Sequence, residues 1–310
     1  MSADPRADRV RVPRQEEDLA RHWLAQRHRQ VRPERTASAV VLVRDGADGV
    51  EVLLRHRAGR TPLGTVGFPG GSLTDGDAEA CPWFGPAPAE WARSLGLVDR
   101  RRARQHVAAA VRELFEESGV LLAGRSESDL VEDARQESWG GRLSSLEAGE
   151  AGLPRLLEGQ GLGLRTDLLR AVGHWHSAPH RPRRFDTMLF AAAAPPLQRP
   201  TPRTDAVTQP GWFTARHLLE RPMALPGPEG WLGPECRVDL GEVSAPLTQL
   251  VLRQVAAHRT AAGFLLSLGG GRGAVPEYRI RTEAEGGEVE TGRIWTVAER
   301  VPEQDAPARP

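Results

Sequence analysis

The chain has 310 residues, enough for one large domain or two small ones, and 39% of them are hydrophobic. Its 41 basic and 41 acidic residues cancel to a formal net charge of zero, which excludes a global basic field that would draw nucleic acid. No run approaches the ~20 apolar residues of a membrane span, the N-terminus lacks an apolar signal core, and a mean hydropathy of −0.43 fits a cytoplasmic globular protein. All the basic residues are arginine, so any phosphate contact must use a guanidinium fork or a backbone amide. Two cysteines, Cys81 and Cys236, are too few for a disulfide framework, and no Cys-x-x-Cys suggests zinc.

Residues 1–35 are polar and Arg-rich and read as a mobile extension, with a short helix available between Glu16 and Gln30. Ser38 to Val43 reads as a buried strand and Val50 to Arg55 as its partner, because Asp45-Gly46-Ala47-Asp48-Gly49 between them has hairpin turn chemistry. Arg60 to Phe68 is a loop leading into a short strand. Leu73 to Arg100 is low in periodicity, with a short helix over Pro88 to Leu97. Arg101 to Ser118 carries the strongest helical pattern, and Ser126 to Gly159 suggests one or two amphipathic surface helices. Ala171 to Trp175 and Phe185 to Ala193 read as strands separated by a Pro/Arg-rich turn. Val207 to Phe213 reads as a strand, Thr214 to Glu220 as a helix, and Pro246 to Ala261 as another. Tyr278 to Arg281 and Arg293 to Val297 form a terminal hairpin, and the last ten residues are disordered. Strands and helices mix without regular alternation, which predicts an α+β class: an α/β/α sandwich with a mixed sheet between helices.

The densest chemistry lies in Arg112-Glu113-Leu114-Phe115-Glu116-Glu117-Ser118-Gly119-Val120. On a helix, Glu113, Glu116 and Glu117 fall within an arc of roughly 100°, with Val107, Val111, Leu114 and Ser118 on the other side. Like charges at this spacing repel by a few tenths of a kcal/mol per pair. Three together call for a counter-charge, and a hard divalent cation supplies one through oxygen ligands. A solvated acidic face is the bland alternative, but Phe68-Pro69-Gly70-Gly71 upstream and a capping Gly119 downstream argue for a built site.

These residues resemble the Nudix hydrolase box, G-x5-E-x7-R-E-U-x-E-E-x-G-U with U bulky and apolar. The second half is complete, and the first half begins at Gly71, with Asp77 where the box has Glu. Asp77 and Arg112 are separated by 34 residues where the box has seven, an excess of 27 that reads as an insertion near 78–104. Long loops add only about 0.6 kcal/mol of closure entropy per doubling, so the fold tolerates it. Within the family the chain is similar to coenzyme A diphosphatases with an insertion inside the box. Three features carry this: Asp77 itself; the upstream series Leu53, Leu54, Arg57, Ala58, Arg60, Gly64 and Phe68-Pro69-Gly70-Gly71; and Arg183-Arg184-Phe185-Asp186-Thr187 before an apolar strand. The upstream series departs from the branch pattern in being two residues short between Ala58 and Arg60, and in having Arg55 for Thr.

The resemblance implies a Nudix domain over 36–222, with 223–300 packing on it and 301–310 as a tail. It implies cleavage of the diphosphate of coenzyme A or acyl-CoA to 3′,5′-ADP and (acyl-)4′-phosphopantetheine, with Mg²⁺ or Mn²⁺ as cofactor. Glu113, Glu116, Glu117 and the Gly70 carbonyl would hold the metal. Arg112 would hold the carboxylates, and Arg57, Arg60, Gly71, Arg183 and Arg184 would meet substrate. The general base is not identified; Asp205 and Glu220 are loose candidates. His174, His176 and His180 cluster around Trp175: a His-x-His in a strand has the chemistry to bind metal, though histidines more often pack or hydrogen-bond, and Trp175 has the chemistry to stack on a nucleobase or to pack in the core. Residues after 222 could cap the fold, shape the pocket or form a homodimer surface, and neither nucleic acid nor membrane is an expected partner. Two alternatives stay open: the same chemistry on ADP-ribose, NADH, a nucleoside triphosphate or an RNA cap, and a binding module without turnover.

Overall fold

The structure is a computed structural model that describes residues 9–57, 65–132, 146, 152–201, 208–224, 226–227, 230–231, 237–268 and 274–301. The first elements are β1 (Arg9–Arg11), α1 (Arg14–Ala25), β2 (Glu34–Gly46), β3 (Gly49–Arg57), β4 (Thr65–Gly67) and β5 (Gly70–Ser72). A 3-10 turn (Asp75–Ala78), β6 (Trp83–Phe84), α2 (Pro88–Leu95), α3 (Arg100–Ser118), β7 (Ala123–Gly124), α4 (Leu153–Glu158) and β8 (Gly163–Arg165) come next. Then follow β9 (Arg170–His176), β10 (Arg184–Ala193), β11 (Thr208–Thr214) and α5 (Ala215–Glu220). Four two-residue strands, β12 (Met223–Ala224), β13 (Pro226–Gly227), β14 (Gly230–Trp231) and β15 (Arg237–Val238), precede α6 (Leu240–Val243), α7 (Pro246–Ala256) and α8 (Ala261–Leu268). β16 (Glu277–Ala284) and β17 (Ile294–Arg300) close the described chain.

One mixed sheet organises the molecule, in the order β1-β17-β16-β9-β10-β2-β3-β11, with β4 added to β3 and β5 to β2. β10 runs parallel to β2 over ten residue pairs, from Arg184 opposite Glu34 to Ala193 opposite Val43. Val40 to Val43 are fully buried, as a central strand covered on both faces requires. Alternation divides them: Val41 and Val43 join Val52, Leu54, Leu250, Val251 and Phe264 on the face covered by α5, α7 and α8. Val40 and Leu42 join Leu53, Val107, Val111, Leu114 and Phe190 on the face covered by α2, α3 and α4. The architecture is therefore the α/β/α sandwich that the pattern predicts.

Three expectations change. Residues 9–35 are not a free extension: β1 pairs antiparallel with β17, and Val12, Ala20 and Leu24 bury themselves against Ile294. The reading Pro246 to Ala261 as one helix becomes two, because Thr260 accepts a hydrogen bond from the Gly263 amide (3.0 Å) and starts a new helix. The insertion near 78–104 is more than a long loop: the short helix expected over Pro88 to Leu97 is α2, and its Trp91, Ala92 and Leu95 enter the core, with Trp91 edge-on to Phe190 at 5.7 Å. Much of Ser126 to Gly159, Cys236 and the terminal ten residues save Val301 lie outside the described residues. Among the described residues no helix is long and apolar enough to cross a membrane.

Candidate active site

The site begins where β5 lies antiparallel to Ala37–Ala39 of β2. A Cβ on Gly70 would fall 2.5 Å from the Ala39 Cβ and 2.7 Å from the Ser38 carbonyl oxygen, so only glycine lets this short strand lie flat. A Cβ on Gly71 would fall 2.4 Å from Glu113 Oε1, so the missing side chain is the space that the Glu113 carboxylate fills.

α3 delivers that carboxylate. Asp99 caps the helix by accepting from the Arg101 amide (2.7 Å), and Gly119 ends it in the left-handed region at φ 71°. Arg112 is the hub. Its guanidinium donates to Asp77 Oδ1 (2.8 Å) and Oδ2 (3.1 Å), Glu113 Oε1 (2.8 Å), Glu116 Oε2 (3.1 Å) and the Ser72 carbonyl (2.9 Å). That uses the planar five-donor fork completely. Asp77 is fully buried and also accepts from the Thr74 amide (2.7 Å), so the 3-10 turn is locked beneath α3. Thus 34 intervening residues leave Asp77 and Arg112 in direct contact.

Burial works against the charge on Arg112, but its bonds to Asp77 and the pull of Asp77, Glu113 and Glu116 outweigh it and raise its pKa. Burial pushes the Glu113 carboxyl up to about 7; Arg112 opposes that, while Glu117 and Glu116 add to it. Burial likewise raises Glu116. A solvated acidic face does not form: Glu113 and Glu117 sink between α3, β5 and β3, and Glu116 stays partly accessible.

Glu117 completes the pocket. It accepts from the Gly70 amide at Oε2 (2.8 Å) and from Arg57 at Oε1 (2.6 Å), and it pairs with Arg55 Nε. Arg55 also donates to the Gly70 carbonyl (3.0 Å), and burial lowers its pKa while Glu117 resists. Arg55 is a site residue that sequence reasoning recorded only as a departure from a pattern. The missed signal was period two: Leu53 faces α3, so Arg55 and Arg57 must as well.

The other candidates are placed elsewhere. Arg184 is taken up by Glu34 (2.9 Å) and by the carbonyls of Arg32 (2.7 Å) and Ser177 (3.2 Å). Arg183 is exposed, with its guanidinium 5.9 Å from the Phe185 ring centre. Trp175 is buried and stacks on Tyr278 at 4.1 Å, which makes it core. His180 bonds Thr282 (2.7 Å) and does not join His174 and His176. Glu220 is exposed at the end of α5, and among the described residues no hydrogen bond or ion pair links it to the carboxylates. Arg60 and Asp205 lie outside the described residues.

Glu113, Glu116, Glu117 and the Gly70 carbonyl offer hard oxygen donors, and Glu113 sits as a buried carboxyl among like charges. This donor set fits Mg²⁺ or Mn²⁺.

No protein-family model matches the chain, and no curated protein matches its sequence. Among solved structures it is similar to a Nudix hydrolase from Alicyclobacillus acidocaldarius, with 26% identity, 74% of this chain and 94% of that chain covered, and a TM-score of 0.52. Looser likenesses are a MutT/nudix family protein from Enterococcus faecalis (13% identity, 82% and 74% covered, TM-score 0.38) and the Nudix domain of Shewanella oneidensis NrtR complexed with ADP-ribose (13%, 62% and 80%, TM-score 0.34). These two align too loosely to bear on function. The mixed sheet between helices is the Nudix fold, and the Alicyclobacillus likeness supports the Nudix hydrolases as the family of this chain.

Proposed function

We propose that the chain is a divalent-metal-dependent diphosphatase that cleaves coenzyme A or acyl-CoA to 3′,5′-ADP and (acyl-)4′-phosphopantetheine. The observation that carries the hydrolase reading is the convergence of Glu113 and Glu117 on the Gly70–Gly71 strand, with Arg112 bridging Glu113 and Glu116 to Asp77. A Mg²⁺ or Mn²⁺ ion held by the three glutamates and the Gly70 carbonyl would offset phosphate charge and acidify the attacking water. Water adds to one phosphorus, the bridging P–O bond breaks, and the water's proton goes to a carboxylate of the same cluster. Arg112 holds those carboxylates in register and does not reach substrate, since all its donors are spent. Arg57, half-exposed beside Glu117, and Arg60 in the same approach are the phosphate contacts of this reading, with Gly71 leaving room and the exposed Arg183 as a further contact. Arg184 acts instead by fixing the start of β10 to Glu34.

The coenzyme A substrate rests on Asp77 and on the Arg-rich approach to Phe68-Pro69-Gly70-Gly71. The test is purified protein with coenzyme A and Mg²⁺ or Mn²⁺, alongside ADP-ribose, NADH and nucleoside triphosphates, with product identification. 3′,5′-ADP is the expected product. Turnover of another diphosphate without it removes coenzyme A and keeps the hydrolase. No turnover of any, with equal ligand binding by wild type and Glu116→Gln, replaces the enzyme by a binding module.

A further inference from the structure

A second cluster lies on the α3-facing side of the sheet, at the far end of β9 and the beginning of β10. His174 and His176 are two apart on β9 and so share a face, and Asp186 is the cross-strand partner of His176. One ligand atom from each of the three lies within 4.8 Å of the others. A fourth group, Glu277 at the start of β16, places its carboxylate 3.3 Å from His176 Nε2 and 3.8 Å from His174 Nδ1.

Both of those ring nitrogens are buried and make no hydrogen bond. Buried polar atoms are nearly always bonded, so two nitrogens that face the one Glu277 carboxylate without a hydrogen bond to it require an explanation. The opposite nitrogen of each ring is already held by a carboxylate: Asp186 on His174 Nε2, and Glu34 on His176 Nδ1 at 2.8 Å. Carboxylates that orient imidazoles in this way are a recurrent accompaniment of metal-bound histidine. His174 is 3% exposed, whereas the side chain of Asp186 is 33% exposed, so the cluster is built from within and reachable from outside.

We propose that His174 Nδ1, His176 Nε2 and the Glu277 carboxylate form a site for one first-row transition cation, of which Zn²⁺ is the best suited, with Asp186 and Glu34 orienting the two imidazoles. Imidazole donors set it apart from the all-oxygen site on α3, because Mg²⁺ and Mn²⁺ prefer carboxylate, carbonyl and water ligands. The place of the site gives it a purpose. β16 pairs with β9 over only three residues, Glu277 to Arg279, yet it carries β17 and through it β1. An ion seated on β9 and β16 pins this edge of the sheet across a pairing of only three residues.

The test strips the full chain with a chelator and titrates it with Zn²⁺ in excess Mg²⁺. One equivalent of Zn²⁺ binds, Tm rises by about 4–8 °C at saturation, and amide exchange slows over 277–284 and 294–300. Co²⁺ in the same place gives the d–d absorption of a low-coordinate site with nitrogen ligands. His176→Gln and the half-exposed Asp186→Asn each weaken binding at least ~30-fold, while Glu116→Gln binds Zn²⁺ as wild type does. No equivalent bound under Mg²⁺ overturns the proposal and leaves a solvent-screened knot of ion pairs. So does full binding in both variants, and loss of binding in Glu116→Gln would assign the ion to the α3 site instead.

Discussion

The two clusters on the α3 side of the sheet solve the same problem in opposite ways. At the α3 site, buried carboxylates are neutralised by arginines: Arg112 of the same helix takes three of them, and Arg55 and Arg57 reach from β3 to Glu117. At the β9 site, the carboxylates surround two imidazoles, whose charge is adjustable, and the nearby arginines attach to the rim through Glu34 and Glu277. A guanidinium hub fixes position and charge permanently, whereas imidazoles leave lone pairs that can be claimed. The first arrangement suits repeated chemistry at a hard cation and the second suits retention of a softer one.

The sharpest way to break this comparison is to remove one carboxylate from α3. Glu116→Gln lowers hydrolysis by about 10³-fold, roughly 4 kcal/mol of barrier, and chelation stops the wild type until Mg²⁺ or Mn²⁺ is restored. Steady-state turnover measures both, and a loss under about tenfold would remove the glutamates from the reaction.

Next in size is the hub. Arg112→Ala strands Asp77, Glu113 and Glu116 in the interior and costs about 3–5 kcal/mol in urea unfolding. A cost below about 1 kcal/mol would mean that water reaches the cluster freely.

Acid should unfasten the other edge. Burial would raise the Glu16 carboxyl, but neighbouring His180 and Arg181 win and hold it near 2 instead of 4.5. Its folded pKa is depressed, so its contribution is complete above pH 4.5 and lost as pH falls toward 2. That loss is roughly 2–3 kcal/mol; it loosens α1 from the β9–β10 turn, and Glu16→Gln removes this part of the acid sensitivity. Stability curves of the two proteins that stay parallel from pH 5 to 2.5 would refute it.

The smallest effect belongs outside both clusters. Arg281→Ala breaks an exposed pair with Glu299 (2.7 Å) and changes stability by about 0–1 kcal/mol, with turnover unchanged. A larger effect would show that the β16–β17 hairpin depends on its surface charges.

Legibility in the sequence followed range. The β2–β3 hairpin and α3 were readable because turn glycines, caps and a 3.6-residue rhythm are local, and α3 starts one residue before the expected Arg101. The glutamates and Gly70–Gly71 were readable for the same reason. Arg55 was less so: the strand's period of two gives its face, but its partner Glu117 lies on another element. The oxygen-and-imidazole setting of His174 and His176 was not, since Glu34, Asp186 and Glu277 come from three separate strands. The helix offered over Glu16 to Gln30 is α1, but the polar character of residues 9–25 concealed β1 and the docking of both, whose apolar contacts are few and whose partners are at the other end of the chain.

That last pairing has a consequence for how the protein is made. The Thr296 hydroxyl donates to the Val10 carbonyl (3.0 Å) across 286 residues, and among the described residues β1 has its ladder partner only in β17. A ribosome adding about 5–20 residues per second reaches that partner roughly 15–60 s after β1 emerges. Until then the nascent strand is an open edge, and its arginines at positions 9 and 11, with Arg14 just after it, act as gatekeepers against mispairing while the rest of the sheet is assembled.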